Sequence, residues 1–275
     1  MERISFAKLS GAGNDFVIID NRRNVIPENE ADFVRKVCTR RVSVGADGLL
    51  LVDNSDIADF KMRYFNSDGG EVETCGNGAR CIARFAYAEK VVPSREMRFE
   101  TRAGVYGAQV MEDTVKLHMS DAVDMRLNFP LMLSDGLHTV SFVNTGVPHV
   151  VFFVDDLESM DVVNLGKETR YHKDFQPEGT NANFVEIQDE DTLKIRTYER
   201  GVEDETLACG TGCIAAAIIM AAMRKGRSPI VAHTRGGYLL KIYFRLESQG
   251  AKEVFLEGDA RIVCRGYLLR DSWSY

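Results

Sequence analysis

The 275-residue chain has no surplus of basic charge: 34 Lys and Arg stand against 41 Asp and Glu, a formal net charge of −7. A general binder of nucleic acid or of anionic membranes needs a basic surface, so neither partner is expected and a small soluble ligand is. No stretch stays apolar over the roughly 20 residues that a membrane-spanning helix requires. The nearest, Leu207 to Met223, is broken by Gly210, Thr211 and Gly212. The opening residues, MERISFAKLSGAGNDF, lack an apolar segment of signal-peptide length, so a reducing cytoplasm is the expected compartment. Cysteine is sparse as well. The six present (Cys38, Cys75, Cys81, Cys209, Cys213 and Cys264) are far below disulfide-scaffold density, and none form a CxxC pair. Their expected chemistry is that of thiols.

What is present is a large apolar fraction, 45%, with 27% charged residues. That suits one large domain or two of about 130 residues. Two stretches, ETCGNGARCIARF (73–85) and LACGTGCIAAAII (207–219), share a design in which a cysteine and a glycine-rich segment run into an apolar helical pattern. Their cysteines are 134 residues apart, and the same offset aligns Glu71 with Glu205, Tyr64 with Tyr198, Asp15 with His149, and GADGLLLV (45–52) with GTNANFVE (179–186). A repeat this long indicates two similar domains; solenoid repeats run about 20 to 50 residues. FKMRYF, VKLHMS, LKIRTY and EVFLEG read as strands between Gly, Asp and Asn turns, with one apolar helix per half.

After Cys75, Ile82, Phe85, Ala86 and Glu89 follow the spacing of a single buried helix face, with Arg80 and Arg84 elsewhere on the wheel. The helix after Cys209 is apolar on nearly every side, as expected for one wrapped by strands, and closes with Arg224, Lys225 and Gly226. Each cysteine is thus predicted at the N-terminal mouth of a buried helix, where unpaired N–H groups and the positive dipole end favour a thiolate and can hold a carboxylate. The other four cysteines read as small hydrophobes. Cys209 and Cys213 could share a metal, but no nearby His or third Cys completes a usual ligand set, so none is expected. Two opposed thiols suit stereoinversion at an acidic carbon: one removes a proton from one face and the other returns a proton to the opposite face. Helix N–H donors would stabilise the charge that develops, at roughly 3 to 4 kcal/mol for one donor. Such a reaction requires no pyridoxal phosphate and no metal.

GAGNDF, FNSDGGEVETCGNGARC, TGVPHV and ERGVEDETLACGTG, in this order, resemble the motifs of the diaminopimelate epimerase family, and the resemblance covers essentially the whole chain. It implies an α+β fold of two pseudo-symmetric domains, each a curved, mainly antiparallel sheet or barrel around a central helix. The halves are expected at residues 1–120 with a returning C-terminal strand at 263–275, and at 121–262. It implies a cofactor-independent interconversion of LL- and meso-diaminopimelate by a homodimer, serving lysine and cell-wall precursor synthesis, with Cys75 and Cys209 as the two bases. The backbone of Gly76, Asn77, Gly210 and Thr211 would hold the reacting carboxylate, and Asn14, Asn66 and Asn181 would bind the substrate's amino and carboxylate groups. His149 matches the family's active-site histidine, and Glu199 and Arg200 match its Glu-Arg pair, with Arg200 as the distal cation. The chain departs from a familiar form of the pattern at Gly48, where glutamine often sits, at Val147, which replaces an asparagine, and by one extra residue between Arg200 and Cys209. A proline-racemase-like protein, a phenazine-biosynthesis-type isomerase and a thiolate metal-binding module are the competing readings.

Overall fold

The computed structural model describes residues 3–73 and 75–275. The chain divides into two compact units, Met1–Leu117 with Gly258–Tyr275, and His118–Glu257.

The first unit begins with a hairpin of β1 (Arg3–Gly11) and β2 (Asn14–Asp20), then α1 (Glu30–Cys38), β3 (Gly48–Asp53), β4 (Phe60–Asn66), β5 (Glu71–Val72), α2 (Gly76–Ala88), β6 (Glu96–Thr101), β7 (Gly104–Val110) and β8 (Thr114–His118). Most neighbours pair antiparallel, while β2 runs parallel to β3 and β4 to β6. The β3 run GLLLVD is buried from Gly48 to Val52 because helices cover it on both faces: it packs against α2 and against α1. α2 packs on β1, β2, β3, β4 and β7, which makes it the central helix of this half.

The second unit repeats the plan with β9 (Val123–Leu133), β10 (Gly136–Asn144), β11 (Pro148–Phe153), α3 (Val162–Tyr171), β12 (Asn181–Ile187), β13 (Thr192–Glu199), β14 (Asp204–Thr206), α4 (Gly210–Ala222), β15 (Ile230–Thr234), β16 (Leu239–Glu247) and β17 (Gly250–Asp259). Its parallel steps fall at the corresponding places, β11 with β12 and β13 with β15. α4 is buried from Gly212 to Ala221 and packs on β10, β11, β12, β13, β15 and β16, which is why it can be apolar on every side. The apolar run from Leu207 therefore ends in a domain core. Among the described residues no helix is long and apolar enough to cross a membrane. The last strand, β18 (Arg261–Leu269), pairs with β1 in the first unit.

Among the described residues each half contains two α-helices, one more than the sequence reading allots. α1 and α3 are short and amphipathic, capped by the Asn29 and Asp161 side chains, and lie on the outer sheet faces. The ladders also refine the repeat. Phe16 lies beside Gly48 and Leu50 opposite Tyr64; His149 lies beside Asn181 and Asn183 opposite Thr197. These equivalences share an offset of 133 residues, and it becomes 134 at the cysteines because six residues separate the paired Tyr198 and Glu205 where five separate the paired Phe65 and Glu71. Tyr64 with Tyr198 and Asp15 with His149 are therefore one-residue slips, each of which exchanges the two faces of a strand. The counterpart of His149 is Phe16, and that of Tyr198 is Phe65.

Candidate active site

Cys75 and Cys209 are the N-cap residues of α2 and α4, both with extended backbone. Cys75 is half-buried, and its Sγ accepts from the Gly78 N–H at 3.5 Å. Cys209 is only 7% exposed, with Sγ 3.5 Å from Thr211 Oγ1. Its thiol is pushed from 9.0 to about 12, chiefly by burial and then by the Glu199 carboxylate, against the Thr211 hydroxyl and the N–H groups of the first turn. The predicted thiolate character is thus overturned at Cys209: desolvation outweighs the helix start, and the resting group is a thiol. A Cβ on Gly76 would meet nothing within 4 Å, so the start of α2 is open to a ligand. At Gly210 the same atom would lie 2.8 Å from Leu256 Cδ2.

The inner sheet faces beneath these helix starts differ in chemistry. In the first unit, Phe16 and Tyr64 meet edge to face with ring centroids 5.9 Å apart, and Leu50 packs against Gly78. A Cβ on Gly48 would lie 2.6 Å from both Tyr64 Cε2 and the Phe65 carbonyl oxygen, so glutamine does not fit while Tyr64 occupies this face. In the second unit the same positions are polar and buried. Asn183 donates from Nδ2 to the Val150 carbonyl at 2.8 Å, Thr197 donates to Asn183 Oδ1 at 3.0 Å, and His149 Nδ1 lies 3.1 Å from Asn183 Nδ2. Burial, with a smaller contribution from the Arg200 charge, depresses His149 to about 3 against its bond from Asn183, so it is neutral at physiological pH.

The remaining predicted residues sit around the two mouths. A hydrogen-bonded chain runs from Arg80 Nη2 to Asn77 Oδ1 (2.7 Å), from Asn77 Nδ2 to Asn14 Oδ1 (2.6 Å) and from Asn14 Nδ2 to Asp47 Oδ2 (3.2 Å). A donor-only guanidinium at one end and an acceptor-only carboxylate at the other fix both amides. Arg80 is fully buried, contrary to its predicted place off the buried face, because Asn77 and the Asp259 carbonyl accept from it; Glu89, predicted on that face, is the exposed C-cap. Asn66 ends β4, its N–H donating to the Gly70 carbonyl. In the second unit Asn181 accepts from the Arg200 backbone N–H at 2.8 Å and donates to the Pro148 carbonyl at 3.0 Å. Glu199 and Arg200 do not pair with each other. Glu199 accepts from Thr206 Oγ1, and burial raises its carboxyl; Arg200 donates to the Glu178 carbonyl. Val147 is half-buried and its carbonyl accepts from Thr145, whose hydroxyl reaches the Thr211 carbonyl.

Sequence reasoning missed Asn183, Thr197, Tyr64 and Arg80. The Asn-Ala-Asn spacing at 181–183, which places two amides on one strand face, was the available signal for Asn183. Of the four cysteines taken as small hydrophobes, Cys38, Cys81 and Cys213 are buried, but Cys264 is exposed on β18. Among the described residues no group of three or more His, Cys, Asp or Glu could hold a metal ion.

The sequence model of the diaminopimelate epimerase family matches residues 6–125 and 141–263. The diaminopimelate epimerase of Aquifex aeolicus is 45% identical over 99% of this chain and 100% of its own length. The chain belongs to the diaminopimelate epimerase family. It is an isomerase. Another member, from Chlorobaculum tepidum, is 44% identical over 94% of this chain and 98% of that protein. Among solved structures, a PhzF-family phenazine biosynthesis protein of Bacillus anthracis superposes with a TM-score of 0.70 at 16% identity, covering 98% of this chain and 100% of the other. A probable proline racemase of Agrobacterium radiobacter does so at 0.67 and 13%, over 99% and 98%. At these identities the likeness is one of fold, and it fits the two-domain α+β architecture of the epimerase family.

Proposed function

We propose that the chain interconverts LL- and meso-diaminopimelate without a cofactor, with Cys75 and Cys209 as the two acid/base groups. The observation that carries this reading is the pair of cysteines at equivalent N-caps, each ahead of a glycine that opens a buried helix, in a chain whose full-length relatives are diaminopimelate epimerases. Cys75, which accepts a backbone N–H, starts as the base and takes the α-proton; Cys209, a resting thiol, delivers its proton to the opposite face. The reverse reaction exchanges the roles. N–H groups of Gly76, Asn77, Gly210 and Thr211 hold the α-carboxylate and stabilise the charge that develops on it.

Asn14 and Asn77, braced by Arg80 and Asp47, present their remaining amide positions to the substrate, as do Asn66 and Asn181. Arg200 grips the distal carboxylate, a task its fork geometry suits. Glu199 and His149 support Cys209 without exchanging protons with the substrate. A homodimer in the cytoplasm, feeding lysine and cell-wall precursor synthesis, completes the proposal, and sedimentation would check the dimer. The deciding experiment is conversion of LL- to meso-diaminopimelate by protein treated with a chelator and a carbonyl reagent. Turnover is expected on diaminopimelate and not on proline; no turnover without an added cofactor would overturn the reading.

A further inference from the structure

The polar layer beneath α4 contains one feature that the proposed chemistry does not use. Asn183 Nδ2 must be the amide nitrogen, because its partner at 2.8 Å is the Val150 carbonyl, which can only accept; Asn183 Oδ1 receives the Thr197 hydroxyl. The amide therefore presents an N–H to His149 Nδ1 at 3.1 Å, and that ring nitrogen is the acceptor. A neutral imidazole that accepts at Nδ1 carries its proton on Nε2. His149 is 0% exposed, and its Nε2 has no hydrogen-bond partner among the described residues. A buried donor without an acceptor is destabilising, and that cost is recovered when a ligand oxygen arrives. The layer touches the first turn of α4: a Cβ on Gly212 would lie 2.3 Å from Asn183 Oδ1 and 3.3 Å from Thr197 Oγ1. At the corresponding positions the first unit has Phe16, Leu50 and Tyr64, so the backbone plan does not require this amide–imidazole pair.

We propose that Asn183 is a positioning residue of the epimerisation: it holds His149 as the Nε2–H tautomer, so that the imidazole serves as a fixed hydrogen-bond donor to a substrate carboxylate oxygen at the α4 helix start. This rests on the reading that the α-carboxylate binds there. Asn183 acts only through His149, and His149 passes no proton. The donor joins the N–H groups of the helix start and strengthens their hold as charge develops on the carboxylate.

The test is nitrogen-15 NMR of histidine-labelled enzyme, which has five histidines, with His149 assigned by its loss in His149→Gln. The expected spectrum has a protonated Nε2 and a bare Nδ1, unchanged from about pH 8 to about pH 5. In Asn183→Asp the carboxylate must accept, so the proton moves to Nδ1 and kcat falls about 10²- to 10³-fold, the size of one lost donor to a developing oxyanion. His149→Gln keeps a donor and has no base, so it should stay within about tenfold of wild type, whereas His149→Leu should lose about 10²-fold or more. That order separates a donor from a merely structural residue, and it decides the matter if Asn183→Asp fails to fold. A bare Nε2 in the wild type, a titration of His149 between about pH 5 and 8, or a Gln variant no better than Leu would overturn the proposal. The spectra are read without turnover: the expected tautomer in an enzyme that does not act on diaminopimelate would overturn the substrate reading and support the Asn183–His149 assignment.

Discussion

The two halves share one backbone plan, rung for rung, and line it with opposite chemistry. Beneath the Cys75 helix lie Phe16, Leu50 and Tyr64, with Asn66 at the strand end and a buried Arg80 in the helix; beneath the Cys209 helix lie His149, Asn183 and Thr197, with Glu199 at the strand end. A repeated fold thus supplies two equivalent helix starts, while the inner-face residues give each cysteine a different setting. Burial, and after it the Glu199 carboxylate, keep Cys209 a thiol at rest. On the first unit's side the Tyr64 phenol is pushed up by burial and then by the Cys75 charge, so it stays neutral.

The largest expected effect falls on the feature the halves share. Cys75→Ala or Cys209→Ala should lower kcat by at least about 10³-fold, whereas Cys81→Ala and Cys213→Ala, at fully buried sites, should keep most of it. Substantial turnover by the Cys75→Ala enzyme would break the equivalence of the two mouths. Next comes Arg200→Lys, which removes the two-pronged grip; kcat/KM for LL-diaminopimelate should fall by about 10²-fold or more, with wild type barely acting on monocarboxylate amino acids such as lysine. Comparable kcat/KM for lysine and diaminopimelate in the wild type would contradict that role.

Two glycines then sharpen the contrast in stability. A Cβ at Gly212 would sit 2.3 Å from Asn183 Oδ1, an atom pinned in a hydrogen-bonded layer, whereas at Gly78 the nearest atom is a Leu50 methyl at 3.4 Å that can give way. Gly212→Ala should therefore destabilise by about 1 to 3 kcal/mol. Gly78→Ala should be neutral, or stabilising by up to about 1 kcal/mol through helix propensity. Urea midpoints would settle the order, and equal values would mean that the polar layer is no stiffer than the apolar one.

The smallest effects lie in pH dependence. His149, depressed from 6.5 to about 3, stabilises the fold fully above pH 6.5, and that contribution is lost as pH falls from 6.5 towards 3, because the unfolded chain takes up the proton first. Cys209, raised from 9.0 to about 12, stabilises fully below pH 9.0 and loses that contribution as pH rises towards 12. Installing the first half's counterpart, His149→Phe, should flatten the acid limb of a Tm-against-pH curve and leave the alkaline limb. Glu199→Gln should lower the Cys209 pKa, visible as thiolate absorbance at lower pH. An unchanged acid limb in His149→Phe would show that the ring is not buried neutral.

Much of this was legible before any coordinates. The two CG-led helix starts, the duplication and the four quoted strands follow from glycine placement and period-two alternation, and the motif set is specific enough to indicate the family. What could not be read is contact chemistry. Arg80 falls off the buried face of a helical wheel, since nothing local shows that Asn77 and the distant Asp259 carbonyl would accept from it. Asn183 was not singled out, because its partners His149 and Val150 on β11 and Thr197 on β13 are remote from it in sequence. The offset of 134 concealed the ladder offset of 133, since a single inserted turn residue is invisible until strands are paired. Gly48 read as a lost glutamine, when the half-buried Tyr64 ring explains why only glycine fits there.

The central claim is that two differently lined helix starts carry out one inversion with two separate bases. It is tested most directly by running LL-diaminopimelate conversion in deuterium oxide and stopping it in the first few per cent. If Cys75 takes the α-proton and Cys209 returns a solvent-derived one, the first meso product carries deuterium at the inverted carbon, while the remaining LL substrate retains protium. Meso product that keeps the original protium would mean that one group carries the proton across, contradicting the assignment of two bases.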